Sequence, residues 1–144
     1  MNKRKETPTV ASPLHILVVD DNEELLKTFS LILKRKGFDV VVAADGTTGV
    51  DRYLHGDFDV TLMDIDLPGI NGVEAFRLIR EMDAGAPVIL MTGYSDEDLI
   101  QLAINEGARC VLYKPIRIDK MIETIYQVVP SSPCLKKEST LVLK

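Results

Sequence analysis

Residues 60–72 read Val-Thr-Leu-Met-Asp-Ile-Asp-Leu-Pro-Gly-Ile-Asn-Gly. A short, nearly continuous apolar run, Val60–Met63, stops at Asp64. Pro68-Gly69 then offers a turn. From Gly72 to Met82 the spacing becomes helical, with Val73, Phe76, Ile79 and Arg80 three to four apart. An apolar run without alternation marks a strand buried on both faces. The stretch therefore predicts one strand, one turn and one helix.

The same pattern repeats on both sides. Further apolar runs are Ile16–Val19, Val40–Ala43, Val88–Met91 and Cys110–Tyr113. After the first, Leu25, Leu26, Phe29, Ile32 and Leu33 share a helical face, and Gly37 stands where a C′ glycine should. Thr47 to Leu54 is a short second helix. Asp96 to Asn105 is a fourth, with Leu99, Leu102 and Ala103 inward, Gly107 after it, and Ser95 with Asp98 resembling a capping box at its start. Ile118, Met121, Ile122 and Ile125 mark the fifth. The order (βα)5 predicts an α/β, flavodoxin-like, doubly wound parallel sheet with strand order 2-1-3-4-5 and right-handed crossovers.

Size and composition agree. The 144 residues suit one domain, 46% hydrophobic and 27% charged. We expect a polar N-terminal arm over 1–13, a folded unit over 14–129 and a C-terminal tail over 130–144 with no output domain. No apolar run nears the roughly 20 residues of a membrane span, and Lys3, Arg4 and Lys5 lead into no secretory h-region, so a cytoplasmic location is expected. Two cysteines make no disulfide framework; Cys110 reads as a small core hydrophobe and Cys134 as a tail residue. A net charge of −5 argues against direct nucleic-acid binding. The cluster Lys34-Arg35-Lys36 reads as cations at a helix C-terminus.

In such a sheet, ligands sit at the carboxyl ends of the strands, at the switch point. The first run ends in Asp20-Asp21, the third in Asp64 with Asp66 two residues on, the fourth in Thr92-Gly93, and the fifth in Lys114-Pro115. Three carboxylates, a hydroxyl and an ammonium are thus expected at one edge. Clustered carboxylates repel unless a cation joins them or a proton neutralises one. Hard oxygens favour Mg²⁺. A nearby lysine can bind phosphoryl oxygens, and an aspartate can be the nucleophile that forms an aspartyl phosphate. Each element alone has a bland reading: Asp20-Asp21 as helix-start acids, Asp64 as a turn residue, Thr92 as a strand residue, Lys114 as a surface lysine. Together those readings need a separate coincidence at each strand end.

These residues resemble the receiver domain of bacterial two-component response regulators, over about residues 14–129. The resemblance is carried by Ile-Leu-Val-Val-Asp-Asp-Asn-Glu (16–23), residues 60–72, Val-Ile-Leu-Met-Thr-Gly-Tyr (88–94) and Gly-Ala-Arg-Cys-Val-Leu-Tyr-Lys-Pro (107–115). It implies that Asp64 is the phosphoacceptor. It implies a Mg²⁺ ion held by Asp21 directly, Asp20 through water, Asp64, and the backbone carbonyl of Asp66. Thr92 and Lys114 would each take a phosphoryl oxygen, Gly93 would leave room for the group, and Lys114–Pro115 would be cis. The implied partners are a sensor histidine kinase or histidine phosphotransfer protein and a downstream protein effector. The face of the fourth helix, fifth strand and fifth helix would switch, with a phosphorylation-dependent dimer through it as one outcome.

Two positions depart from the family pattern or tune it. Family members commonly carry Tyr or Phe three residues before the lysine; here that position is Val111, and Tyr113 stands beside Lys114. In this family the positions of Asp66 and of Tyr94, two residues after Thr92, flank the path of the attacking water, so the resemblance implies slow self-dephosphorylation. Rival readings are a receiver-like docking module that is never phosphorylated, a phosphatase of the haloacid-dehalogenase type suggested by Asp64-Ile-Asp66, and a flavin carrier. The phosphatase would need its nucleophile strand near the N-terminus and a larger body. The flavin carrier would need a Gly/Ser/Thr-rich phosphate loop where Asp20-Asp21 stands.

Overall fold

The computed structural model describes residues 13–93 and 97–129. Residues 1–12 of the expected arm, the tail with Cys134, Tyr94 and the Ser95 cap lie outside the described residues. Strands β1 (His15–Val19), β2 (Asp39–Ala43), β3 (Val60–Asp64), β4 (Val88–Thr92) and β5 (Cys110–Tyr113) alternate with helices α1 (Glu23–Arg35), α2 (Gly46–His55), α3 (Gly72–Met82), α4 (Glu97–Asn105) and α5 (Ile118–Val128). All four pairings are parallel and the order is β2-β1-β3-β4-β5. This is the flavodoxin-like α/β arrangement.

Alternation along each strand divides the core. Ile16, Val18, Leu62, Ile89 and Met91 pack with Leu26, Phe29 and Leu33 of α1 and Met121 and Ile125 of α5. Leu17, Val19, Met63, Val88 and Leu90 pack on the opposite face with Phe76 and Ile79 of α3 and Ile100 and Ala103 of α4. The inner strands β3 and β4 are buried along their whole length. The edge strands are not: Val41 is 39% exposed and Tyr113 57%. Their continuous apolar runs had predicted burial on both faces, but an edge strand has a neighbour on one side only, so part of its surface meets solvent.

Local chemistry sets the helix ends that frame the strand termini. Asn22 caps α1, its side chain accepting from the Leu25 amide, and Glu23 and Glu24 load the first turn. Lys34 and Arg35 sit in the last turn, and Gly37 follows with φ of 99°. Asn71 and Glu74 form a full capping box on α3. On α4 the buried residues are Ile100 and Ala103, while Leu99 and Leu102 are half-buried; the inward stripe is rotated by one residue from the expected one. Cys110 is half-buried as a free thiol against the α1–α5 core, and burial pushes its pKa up.

Candidate functional site

The site is built where β1, β3, β4 and β5 end. Parallel register sets Val19 beside Met63, Asp64 beside Met91, and Thr92 beside Tyr113. The residues that follow therefore emerge on one rim. Asp20 is fully buried and Asp64 is 2% exposed, whereas Asp21 faces solvent. One carboxylate oxygen from each of Asp20, Asp21 and Asp64 lies within 4.8 Å of the others.

Lys114 reaches into this cluster from the opposite end of the chain. Its Nζ donates to Asp20 Oδ2 at 2.6 Å and to Asp64 Oδ2 at 3.2 Å. The other oxygens are also engaged. The Asn22 amide donates to Asp20 Oδ1 at 2.9 Å, and the Asp66 amide donates to Asp64 Oδ1 at 3.1 Å. The Asp66 side chain itself is exposed. Thr92 is fully buried at the end of β4, and its carbonyl accepts the Lys114 amide at 2.8 Å. The Lys114–Pro115 peptide is cis.

The electrostatics follow from burial. The Asp64 carboxyl is pushed up to about 6, first by burial and then by the charge of Asp20; Lys114 and the Asp66 amide pull the other way. For Lys114, burial works to lower the pKa. The hydrogen bond to Asp20 and the charges of Asp64 and Asp20 outweigh it and hold the ammonium above its ordinary value. The single lysine thus leaves negative charge that is not fully balanced. Three carboxylates of which one is open to solvent, all hard oxygen donors, fit a divalent cation of the Mg²⁺ type.

Two glycines differ in what they allow. A Cβ on Gly93 would meet nothing nearer than Lys114 Cδ at 3.9 Å, an ordinary contact. A Cβ on Gly72 would lie 2.1 Å from the carbonyl oxygen of Asp64. Gly72 is therefore what lets α3 start directly against the strand end that carries Asp64, with its amide donating to Ile65 O at 2.9 Å. The sequence reading assigned Gly72 no role. The signal was the Asn71…Glu74 spacing, which fixes a helix start at that point.

Val111 is half-buried and packs with the α3–α4 core, whereas Tyr113 points outward at the end of β5. A groove of about 610 Å³ opens elsewhere, between α1 and α2 along the β2 edge. None of Asp20, Asp21, Asp64, Thr92 and Lys114 lines it.

A family model of the response regulator receiver domain matches residues 16–126. The chain belongs to that family. It is 33% identical over 121 residues to the chemotaxis protein CheY of Treponema pallidum, covering 82% of this chain and 84% of that one. Among solved structures, a CheY-like receiver domain protein from Methanospirillum hungatei superposes with a TM-score of 0.81 at 28% identity, covering 88% of this chain and 99% of that one. A chain of the CheX–CheY–BeF3–Mg²⁺ complex from Borrelia burgdorferi does so with a TM-score of 0.74 at 28% identity, covering 81% and 89%. The receiver also spans about half the length of other curated relatives that it matches, several of them described as DNA-binding response regulators. No helix among the described residues is long and apolar enough to cross a membrane.

Proposed function

We propose that this receiver takes a phosphoryl group onto Asp64 from the phosphohistidine of a sensor histidine kinase or histidine phosphotransfer protein, with Mg²⁺, and signals to a downstream protein. The observation that carries the reading is Asp64 itself. It is a buried carboxylate at the switch-point rim, with two further acids at metal-holding distance and an ammonium within hydrogen-bond reach. The Borrelia relative's complex with BeF3 and Mg²⁺ supports it, since beryllofluoride has the shape and charge of a phosphoryl group.

The geometry supports the following roles. A carboxylate oxygen of Asp64 attacks phosphorus; the O–P bond forms as the N–P bond of the phosphohistidine breaks, and the imidazole nitrogen leaves and takes a proton. Lys114 Nζ, already 3.2 Å from Asp64 Oδ2, pairs with one phosphoryl oxygen. The Thr92 hydroxyl donates to another, and Gly93 leaves space beside it. Asp21 directly, Asp20 through water, Asp64 and the Asp66 carbonyl would hold Mg²⁺, which supplies charge neutralisation for the transferring group.

Tyr113, next in register to Thr92, substitutes only in part for the ring that Val111 does not supply. The altered charge at Asp64 biases the face made by α4, β5 and α5 toward protein contacts, a dimer among them. Slow loss of the phosphoryl group belongs to the same reading, on the family resemblance at the position two residues after Thr92. The setting is the cytoplasm, and with net charge −5 this unit is not the DNA-contacting element. A gain of phosphoryl mass that requires both Mg²⁺ and Asp64 tests the reading.

A further inference from the structure

The C-terminal end of α4 is held from outside the helix. Its last turn has no basic residue of its own, and only Ile100 and Ala103 of its residues are buried. Carbonyls at a helix C-terminus carry partial negative charge that a cation stabilises. Here the cations come from α3. Arg77 donates through Nε and Nη2 to the two carboxylate oxygens of Glu106 at 2.7 and 2.6 Å. That is the planar, two-pronged pairing that only arginine makes.

Arg80, three residues on, donates through Nη1 to the carbonyl of Gly107 at 3.0 Å. Its guanidinium lies 5.5 Å from the centre of the Phe76 ring, which is fully buried. Gly107 serves this contact twice. Its φ of 101° is in the left-handed region, and a Cβ there would lie 2.9 Å from Arg80 Nη1. The turn is closed by the amides of Glu106, Gly107 and Ala108, which donate to the carbonyls of Leu102, Ile104 and Ala103 at 3.0 Å each.

At its other end α3 is fixed to the phosphoacceptor strand. Gly72 sits against the Asp64 carbonyl, its amide bonds Ile65 O, and Asn71 with Glu74 caps the helix. A stiff element thus runs from Asp64 to the far end of α4. The near end of α4 follows Thr92 and Gly93 in the chain.

We propose that Arg77 and Arg80 of α3 clamp the C-terminal end of α4 as a pivot, so that phosphorylation at Asp64 changes α4 from its N-terminal end alone. The clamp stands on the contacts of the resting protein; the second half rests on the phosphoacceptor reading. α4 then swings about Glu106–Gly107 instead of sliding or detaching.

The test is amide hydrogen exchange by mass spectrometry on the full chain, for wild type, Arg77→Ala and Glu106→Gln, without and with Mg²⁺ and beryllofluoride. Without ligand, either variant should speed exchange at residues 106–108 by about fivefold, the scale of losing a well-formed surface ion pair, and leave residues 97–100 unchanged. Unchanged exchange at 106–108 in both variants overturns the clamp. With ligand, the wild-type response in α4 should be confined to residues 97–101, and in Arg77→Ala it should extend through 108. A wild-type response at both ends overturns the pivot. A wild type that responds nowhere, including the ends of β1, β3 and β5, overturns the phosphoacceptor reading and the pivot with it; the ligand-free comparison still decides the clamp.

Discussion

Replacing Asp64 by asparagine should make the metal-free protein more stable. Asparagine keeps the shape of the side chain and an acceptor for the Asp66 amide, and removes a charge that burial and Asp20 both oppose. The Asp64 pKa rises from 3.8 to about 6 on folding, with the pull of Lys114 already included. At about 1.4 kcal/mol per unit, the ionised carboxylate costs the fold about 3 kcal/mol at pH 7. For a domain of this size that corresponds to a rise in Tm of about 10 °C in Asp64→Asn.

The sign fixes the pH dependence. A folded pKa above the unfolded one means that the native state holds the extra proton between the two values. The contribution of Asp64 is therefore fully present below about pH 4 and lost as pH rises through about 6. The gap between variant and wild type should open across that window and stay constant above it. Urea unfolding in EDTA at pH 7 and pH 4.5 measures it. Added Mg²⁺ at ten times its Kd should stabilise the wild type by about 1.4 kcal/mol and the variant by less. A variant no more stable than wild type at pH 7, or a gap equal at both pH values, refutes the reasoning.

Four other substitutions follow from the same reading. Lys114→Ala leaves Asp20 and Asp64 facing each other without their ammonium, and should cost about 3 kcal/mol in metal-free urea melts at pH 7, less at pH 4.5 where Asp64 is protonated. Gly72→Ala drives a methyl into the Asp64 carbonyl at 2.1 Å and should cost about 3 kcal/mol or more, whereas Gly93→Ala should stay within about 0.5 kcal/mol; equal effects in chemical denaturation contradict the steric account. Tyr94→Ala should shorten the lifetime of the phosphorylated form followed by loss of radiolabel, and an unchanged lifetime removes Tyr94 from the path of the water.

Most of the fold was legible because burial writes itself into a run of apolar residues. Val60–Met63 and Val88–Met91 are flanked on both sides in the sheet and covered on both faces, and their sequences say so. The edge strands carry the same kind of run, since each contributes to both cores, Val42 and Leu112 to one and Ala43 and Val111 to the other, so sequence alone did not separate edge from centre. The strand-end residues Asp20, Asp21, Asp64, Thr92 and Lys114 were legible for a related reason: each stands where an apolar run stops, and parallel topology brings such points together. What stayed hidden depends on distances across the chain. Nothing near Lys114 shows that it lies closer to Asp20 than to Asp64. Arg80 was placed on the apolar stripe of α3 by its spacing, but its reason for being there is the Phe76 ring beneath it and the Gly107 carbonyl 27 residues away. The Arg77–Glu106 pair spans 29 residues and has no local signature.

The central claim, that Asp64 accepts a phosphoryl group with Mg²⁺, is tested most directly by intact mass after incubation with acetyl phosphate, for wild type and Asp64→Asn, with and without Mg²⁺. The account predicts a gain of one phosphoryl group, about 80 Da, in wild type with Mg²⁺ only, and none in the variant. A gain that persists in Asp64→Asn, or one that is independent of Mg²⁺, would contradict it. No gain from acetyl phosphate or from a phosphohistidine donor would identify the chain as a docking receiver that is never phosphorylated.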